Sequence, residues 1–110
     1  MSRRLLLDPD AERDLDAIFD YIGERNPDAA ARYIRALRDQ CGLYAESPFT
    51  LGQAEPDIAR RLGLPRECVR SFLYRNHRCY YVVTDDEMRV FGFIDVRRDI
   101  DAVLEERLGS

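Results

Sequence analysis

The stretch V-R-S-F-L-Y-R-N-H-R-C-Y-Y-V-V (residues 69–83) decides the fold class. Its hydropathy runs with a period of two. Cys68, Arg70, Phe72 and Tyr74 fall on one side, and Val69, Ser71 and Leu73 on the other. Such alternation describes a strand. Arg75-Asn76 is turn-like, and His77 to Thr84 is a second strand, rich in aromatic and β-branched residues. Asp85-Asp86-Glu87 is a polar turn, and Met88 to Asp95 is a third strand. Two tight connections in succession predict an antiparallel meander.

Toward the N-terminus the period changes. Asp8-Pro9 is a helix start, with Asp as cap and Pro at the first helical position. Ala11, Leu15, Ile18, Phe19 and Ile22 follow at helical spacing. Asn26-Pro27 repeats the start signal, and Ala30, Tyr33, Ile34, Leu37, Cys41 and Tyr44 form the apolar stripe of a second helix. A short connection predicts an antiparallel helical hairpin. Arg3 to Leu7 reads as an opening strand that joins the sheet at its edge. Residues 49–66 hold Gly52, Pro56, Gly63 and Pro65 and read as an irregular connector, with a helical turn around Ile58 to Leu62. The tail from Asp99 to Ser110 is either mobile or a further helix through Ile100, Val103, Leu104 and Leu108. The expectation is one α+β domain over residues 1–110, β-α-α-β-β-β, with the helical hairpin packed on one face of a small antiparallel sheet.

Composition narrows the function. The chain has 110 residues, 45% of them hydrophobic and 35% charged, which suits one folded domain. All 17 of its basic residues are Arg, against 21 acidic residues, for a net charge of -4. An acidic chain is poorly suited to coat nucleic acid, where basic groups release counterions from phosphates, and no direct sequence-specific nucleic-acid binding is expected. No apolar run is long enough to span a bilayer, and Leu5 to Leu7 is too short for a signal-peptide core. The expected site is cytoplasmic, with no membrane contact. Cys41, Cys68 and Cys79 show neither a zinc spacing nor an even count for disulfides, and read as small buried hydrophobes. No glycine-rich phosphate loop is present, and neither a metal nor a cofactor is expected.

The lone histidine, His77, has no local nucleophilic partner and reads as a hairpin-edge residue bonded to the turn. Asp14, Asp16 and Asp20 read as the solvated face of the first helix. Charge is uneven, however. Residues 65–98 carry 7 Arg against 5 acidic residues, whereas both flanking segments are net acidic. Arg interleaved with Phe72, Tyr74, Tyr80 and Tyr81 makes a planar, stackable, donor-rich surface suited to contact. The alternative is that the aromatics are core and the Arg residues guard strand edges.

These residues resemble the RelE/ParE superfamily of type II toxin–antitoxin toxins over roughly residues 4 to 100. The likeness is carried by L-D-P-D-A-E-R-D-L-D-A-I-F-D-Y-I (7–22), N-P-D-A-A-A-R-Y-I-R-A-L (26–37), L-Y-A-E-S-P (43–48), the 69–83 stretch and V-R-R-D-I (96–100). The R-S-F-x-Y-x-x-H-x-x-Y-Y pattern (70–81) looks more like the ParE branch. That resemblance implies a plasmid-stabilisation type of toxin that poisons DNA gyrase without being an enzyme. It also implies a cognate antitoxin, of ribbon–helix–helix type, bound in a hetero-oligomer. The expected target contacts are Arg70, Arg75, Arg78, Arg97 and Arg98. The expected antitoxin contacts are Leu15, Ile22, Tyr33 and Leu37. An alternative is a RelE-like ribosome-dependent mRNA endonuclease with Arg70, His77 and Arg97 as catalytic groups. Another is a non-toxic relative that only binds antitoxin. The chain departs from the family pattern at Asp95, where many relatives carry His, and it has no Lys to assist RNA cleavage.

Overall fold

The computed structural model describes residues 2–109. Strand β1 (Arg4–Leu7) leads into helices α1 (Pro9–Gly23) and α2 (Pro27–Glu46). A two-residue strand β2 (Gln53–Ala54) and helix α3 (Pro56–Leu62) follow. Strands β3 (Val69–Tyr74), β4 (His77–Val83) and β5 (Glu87–Asp95) then form the meander, and helix α4 (Ile100–Leu108) closes the chain. The sheet order is β1-β5-β4-β3-β2.

The start signals work by different means. Asn26 Oδ1 accepts from the Ala29 N–H at 3.0 Å and caps α2. Asp8 occupies the corresponding position on α1 but makes no such cap; its carboxylate accepts from Arg89 instead, at 3.1 Å. The predicted turn near Ile58 is α3, and the tail is a helix capped by Asp99, whose carboxylate accepts from the Ala102 N–H. Ser110, the last residue of the predicted tail, lies outside the described residues.

Two features correct the sequence expectation. The sheet is mixed rather than antiparallel, because β1 pairs parallel with β5, Leu5 against Met88 and Leu7 against Val90. β1 and β5 lie far apart in sequence, so the crossover that a parallel pair requires is available. The second difference is that both faces are covered. α1 and α2 bury Phe72, Cys79, Tyr81, Val83, Met88 and Val90 on one face, around Leu15, Leu37 and Cys41. α3 and α4 bury Val69, Tyr80 and Ile94 on the other, with Ile58, Val103 and Leu104. Alternation identified the strands, but a strand packed on both faces buries both sets of side chains. Tyr44 stacks on Phe72 with ring centroids 4.2 Å apart, tying α2 to β3. Phe19, predicted within the apolar stripe of α1, is 41% exposed at the margin of that stripe.

Cys41 and Cys79 are buried free thiols with their sulfurs 3.8 Å apart, and Cys68 is half-buried. Burial pushes the Cys79 thiol well above its ordinary value. Both buried cysteines therefore serve as small core side chains, as expected.

The edge of β5 has its own protection. β1 covers β5 only as far as Val90, which leaves the Phe93 N–H pointing outward. Asp14 on α1 accepts from that N–H at 2.9 Å. Arg107 on α4 reaches round the strand edge to the same carboxylate, with contacts of 2.7 and 2.5 Å. A Cβ at Gly92 would stand 3.0 Å from the Arg107 guanidinium, so glycine there leaves the path open. Asp14 is thus not part of the solvated helix face that the sequence suggested. Asp16 and Asp20 are exposed.

Candidate functional site

The β3–β4 hairpin turn, the C-terminal half of α1, the start of α2 and the end of β5 converge on one cleft of about 620 Å³. Its floor holds Ile18, Ile22 and Phe93, and Tyr21, Arg75, Arg97 and Arg98 stand among its walls. Tyr33 reaches in from α2 and His77 from the first position of β4.

The chemistry at the centre is set by burial. His77 is 9% exposed. Desolvation pulls its pKa below the usual 6.5, against the opposing pull of the Asp95 carboxylate. The Tyr33 hydroxyl hydrogen-bonds with His77 Nδ1 at 2.6 Å and also lies 3.4 Å from the Tyr74 carbonyl. Burial raises the Tyr33 pKa, so the phenol stays protonated. His77 therefore bonds to α2 and locks the helical hairpin to the sheet; it does not bond to the turn, as the sequence suggested.

Asp95 faces His77 across the β4–β5 ladder. Its carboxylate accepts from the Arg97 backbone N–H at 2.8 Å and from the Arg97 guanidinium, the shortest contact being 2.5 Å. Those bonds hold the Asp95 pKa at about 2. Arg97 is thereby neutralised. Arg75 and Arg98 make no ion pair among the described residues. Arg75 stands over the Tyr74 ring, 5.7 Å from its centroid. The cleft therefore offers an apolar floor with two unspent guanidinium groups at its rim.

The five predicted target-contact arginines divide into three places. Arg75, Arg97 and Arg98 share the cleft. Arg70 lies opposite Tyr81, four residues along the ladder from the Tyr74–His77 pair, or about 13 Å at the rise of a strand. It donates to the carbonyls of Leu51 and Gly52 and to Glu67, so it is occupied in holding the connector. Arg78 projects on the opposite face and donates to Ser71 Oγ at 3.1 Å. Ser71 in turn donates to Glu55 at 2.6 Å. The alternative catalytic trio of Arg70, His77 and Arg97 is not assembled, because strand register separates Arg70 from the other two.

Of the four predicted antitoxin contacts, Leu15 and Leu37 are core residues, 2% and 0% exposed. The stripe that buries α1 and α2 uses them up, and no partner reaches them in this fold. Ile22 and Tyr33 remain half-buried. They also line a second hollow of about 430 Å³, shared with Arg32, Tyr74 and Arg75. Tyr21, 69% exposed, was absent from the predicted site. Its position on α1 beside Ile22, off the buried stripe, was the available signal.

The family described as "ParE toxin of type II toxin-antitoxin system, parDE" matches residues 5–100. The chain belongs to the ParE toxin family. A solved structure, "Chromosomal ParDE TA system from P. aeruginosa", is similar with a TM-score of 0.65 at 19% identity, covering 86% of this chain and 97% of that one. No curated protein matches the chain. In this ParE-family chain no helix among the described residues is long and apolar enough to cross a membrane. No group of three or more His, Cys, Asp or Glu is placed to hold a metal among those residues.

Proposed function

We propose that this ParE-family toxin works by binding and not by catalysis, with DNA gyrase as its target and a ribbon–helix–helix antitoxin as its inhibitor. The observation that carries this reading is the state of the cleft. RNA cleavage needs one group to activate the 2′-hydroxyl and another to protonate the leaving oxygen. The only imidazole is buried, committed to Tyr33 and separated from Arg70. What the cleft offers is contact chemistry: exposed Tyr21 and the unpaired Arg75 and Arg98 above an apolar floor. Arg and Tyr dominate the energetics of protein interfaces.

The same geometry supports a way to neutralise the toxin. Ile22, Tyr33 and Arg75 line both hollows. An antitoxin segment seated on Ile22 and Tyr33 covers Arg75 and so occludes a target contact directly. The toxin and its antitoxin form a hetero-oligomer in the cytoplasm.

The test is induction of the chain in a bacterium, followed by purification and a gyrase assay. Growth arrest, relief by the co-expressed neighbouring antitoxin gene, and loss of supercoiling with accumulation of cleaved DNA are expected. The Arg75→Ala/Arg98→Ala variant should lose at least tenfold in potency, since each interface Arg is worth about 1–2 kcal/mol or more. Intact supercoiling together with codon-phased cuts in messenger RNA would establish the endonuclease instead. Antitoxin binding without growth arrest would leave a binding module only.

A further inference from the structure

Away from the cleft, two oxidisable side chains face each other in the core. Cys41 on α2 and Cys79 on β4 are both 0% exposed, and their sulfurs already touch at 3.8 Å. Cys79 lies two residues beyond His77, on the same face of β4. Cys41 lies about two helical turns beyond Tyr33 on α2. The thiol pair is thus a second rung between the two elements that the Tyr33–His77 bond joins. Cys68 stands apart from them. It is half-buried just before β3 and lines a separate hollow with Arg3 and Arg70.

We propose that Cys41 and Cys79 form a disulfide on exposure to a hydroperoxide, a redox-sensitive lock that ties α2 covalently to the sheet. A disulfide holds its sulfurs about 2.05 Å apart, so the 3.8 Å contact must close by about 0.9 Å from each side. Rotation about the two Cα–Cβ bonds supplies a displacement of that size. A hydroperoxide is small enough to enter through transient openings of the core. One sulfur attacks a peroxide oxygen, the O–O bond breaks, and a sulfenic acid and water form from hydrogen peroxide. The second sulfur attacks the sulfenic sulfur, the S–O bond breaks, and the hydroxyl leaves as water with the second thiol's proton. In sum the two thiols give up two electrons and two protons, and one hydrogen peroxide becomes two waters. Burial raises the Cys79 pKa and keeps thiolate scarce, so the first step is slow. The second step joins groups already in contact. The same burial shields the finished bond from bulky thiol reductants. The lock is therefore slow to set and slow to release. It does not involve the cleft and stands apart from the gyrase reading.

Treating the folded full chain with hydrogen peroxide tests this, on a Cys68→Ser background that leaves only the two buried thiols. The expected result is a linked peptide containing Cys41 and Cys79, with no thiol titratable once the chain is unfolded. Cross-linking residues 38 positions apart restricts the unfolded chain, so the unfolding constant should fall about a hundredfold or more, read as a higher urea midpoint. Reduction after unfolding should restore the original midpoint. Cys79→Ala on the same background should show none of these changes. Peptide mapping of the wild-type chain reads the same cross-link, so the outcome does not depend on the Cys68 substitution. Two thiols that survive prolonged exposure in the folded chain would overturn the proposal. So would oxidation to sulfinic acid without a cross-link, a cross-link that forms only after unfolding in urea, or a cross-linked chain with a lower midpoint.

Discussion

Arg70, near the start of β3, and Arg75, on the turn just past its end, have opposite uses. Arg70 has a side chain only 14% exposed and is held by three carbonyls and a carboxylate. Arg75 is exposed on the turn, rests on Tyr74 and makes no ion pair among the described residues. Arg107 belongs with Arg70: it is spent on Asp14, and the pairing raises its own pKa. Arg98 belongs with Arg75. In a chain whose 17 Lys and Arg residues are all Arg, the useful distinction is between guanidinium groups that hold the fold and those left uncommitted.

Removing a structural guanidinium is the strongest way to test this division. Arg107→Ala leaves the Asp14 carboxylate, whose side chain is 14% exposed, without its counter-charge. About 3 kcal/mol of stability should be lost, read as a lower urea midpoint. Arg70→Ala strips donors from the Leu51 and Gly52 carbonyls and should cost about 2 kcal/mol in the same measurement. If either variant instead keeps full stability and loses only activity, the division fails.

A smaller effect comes from pH. Burial depresses the folded pKa of His77 below 6.5, so the unfolded chain binds the extra proton first. The contribution is fully present above pH 6.5 and is lost as pH falls from there through the folded value. Stability should therefore slope downward on that side, and His77→Gln should flatten the slope. Asp95 acts in a separate window. Its pKa of about 2 means its contribution holds above the ordinary 3.8 and disappears as pH falls toward 2. The smallest effect belongs to the unspent pair. Arg75→Ala/Arg98→Ala should move the thermal midpoint little, within about 0.5 kcal/mol of the parent, while reducing toxicity.

Much of the fold was readable in the sequence. The cap-and-proline pairs at Asp8 and Asn26 located both long helices, and the alternation from Val69 located the hairpin. These signals are local. The parallel pairing of β1 depends on contacts across nearly the whole chain, which no local pattern encodes. Asp14 illustrates the same limit at the site. Its spacing suits a solvated face, and only the position of Arg107 and the gap in β1 coverage give it a role. The cleft arginines were recognised by type and by their clustering in residues 65–98. Separating Arg70 and Arg78 from them required the register of the strands and the face on which each side chain lies.

The hairpin turn itself has one further consequence. Arg75 sits at φ +53°, a left-handed conformation in which a branched-free but full side chain crowds its own carbonyl and in which glycine is at ease. Arg75→Gly would relieve that crowding and remove a guanidinium from the rim of the cleft in the same step. Under the proposed function, backbone ease and target contact thus make opposite demands on this position.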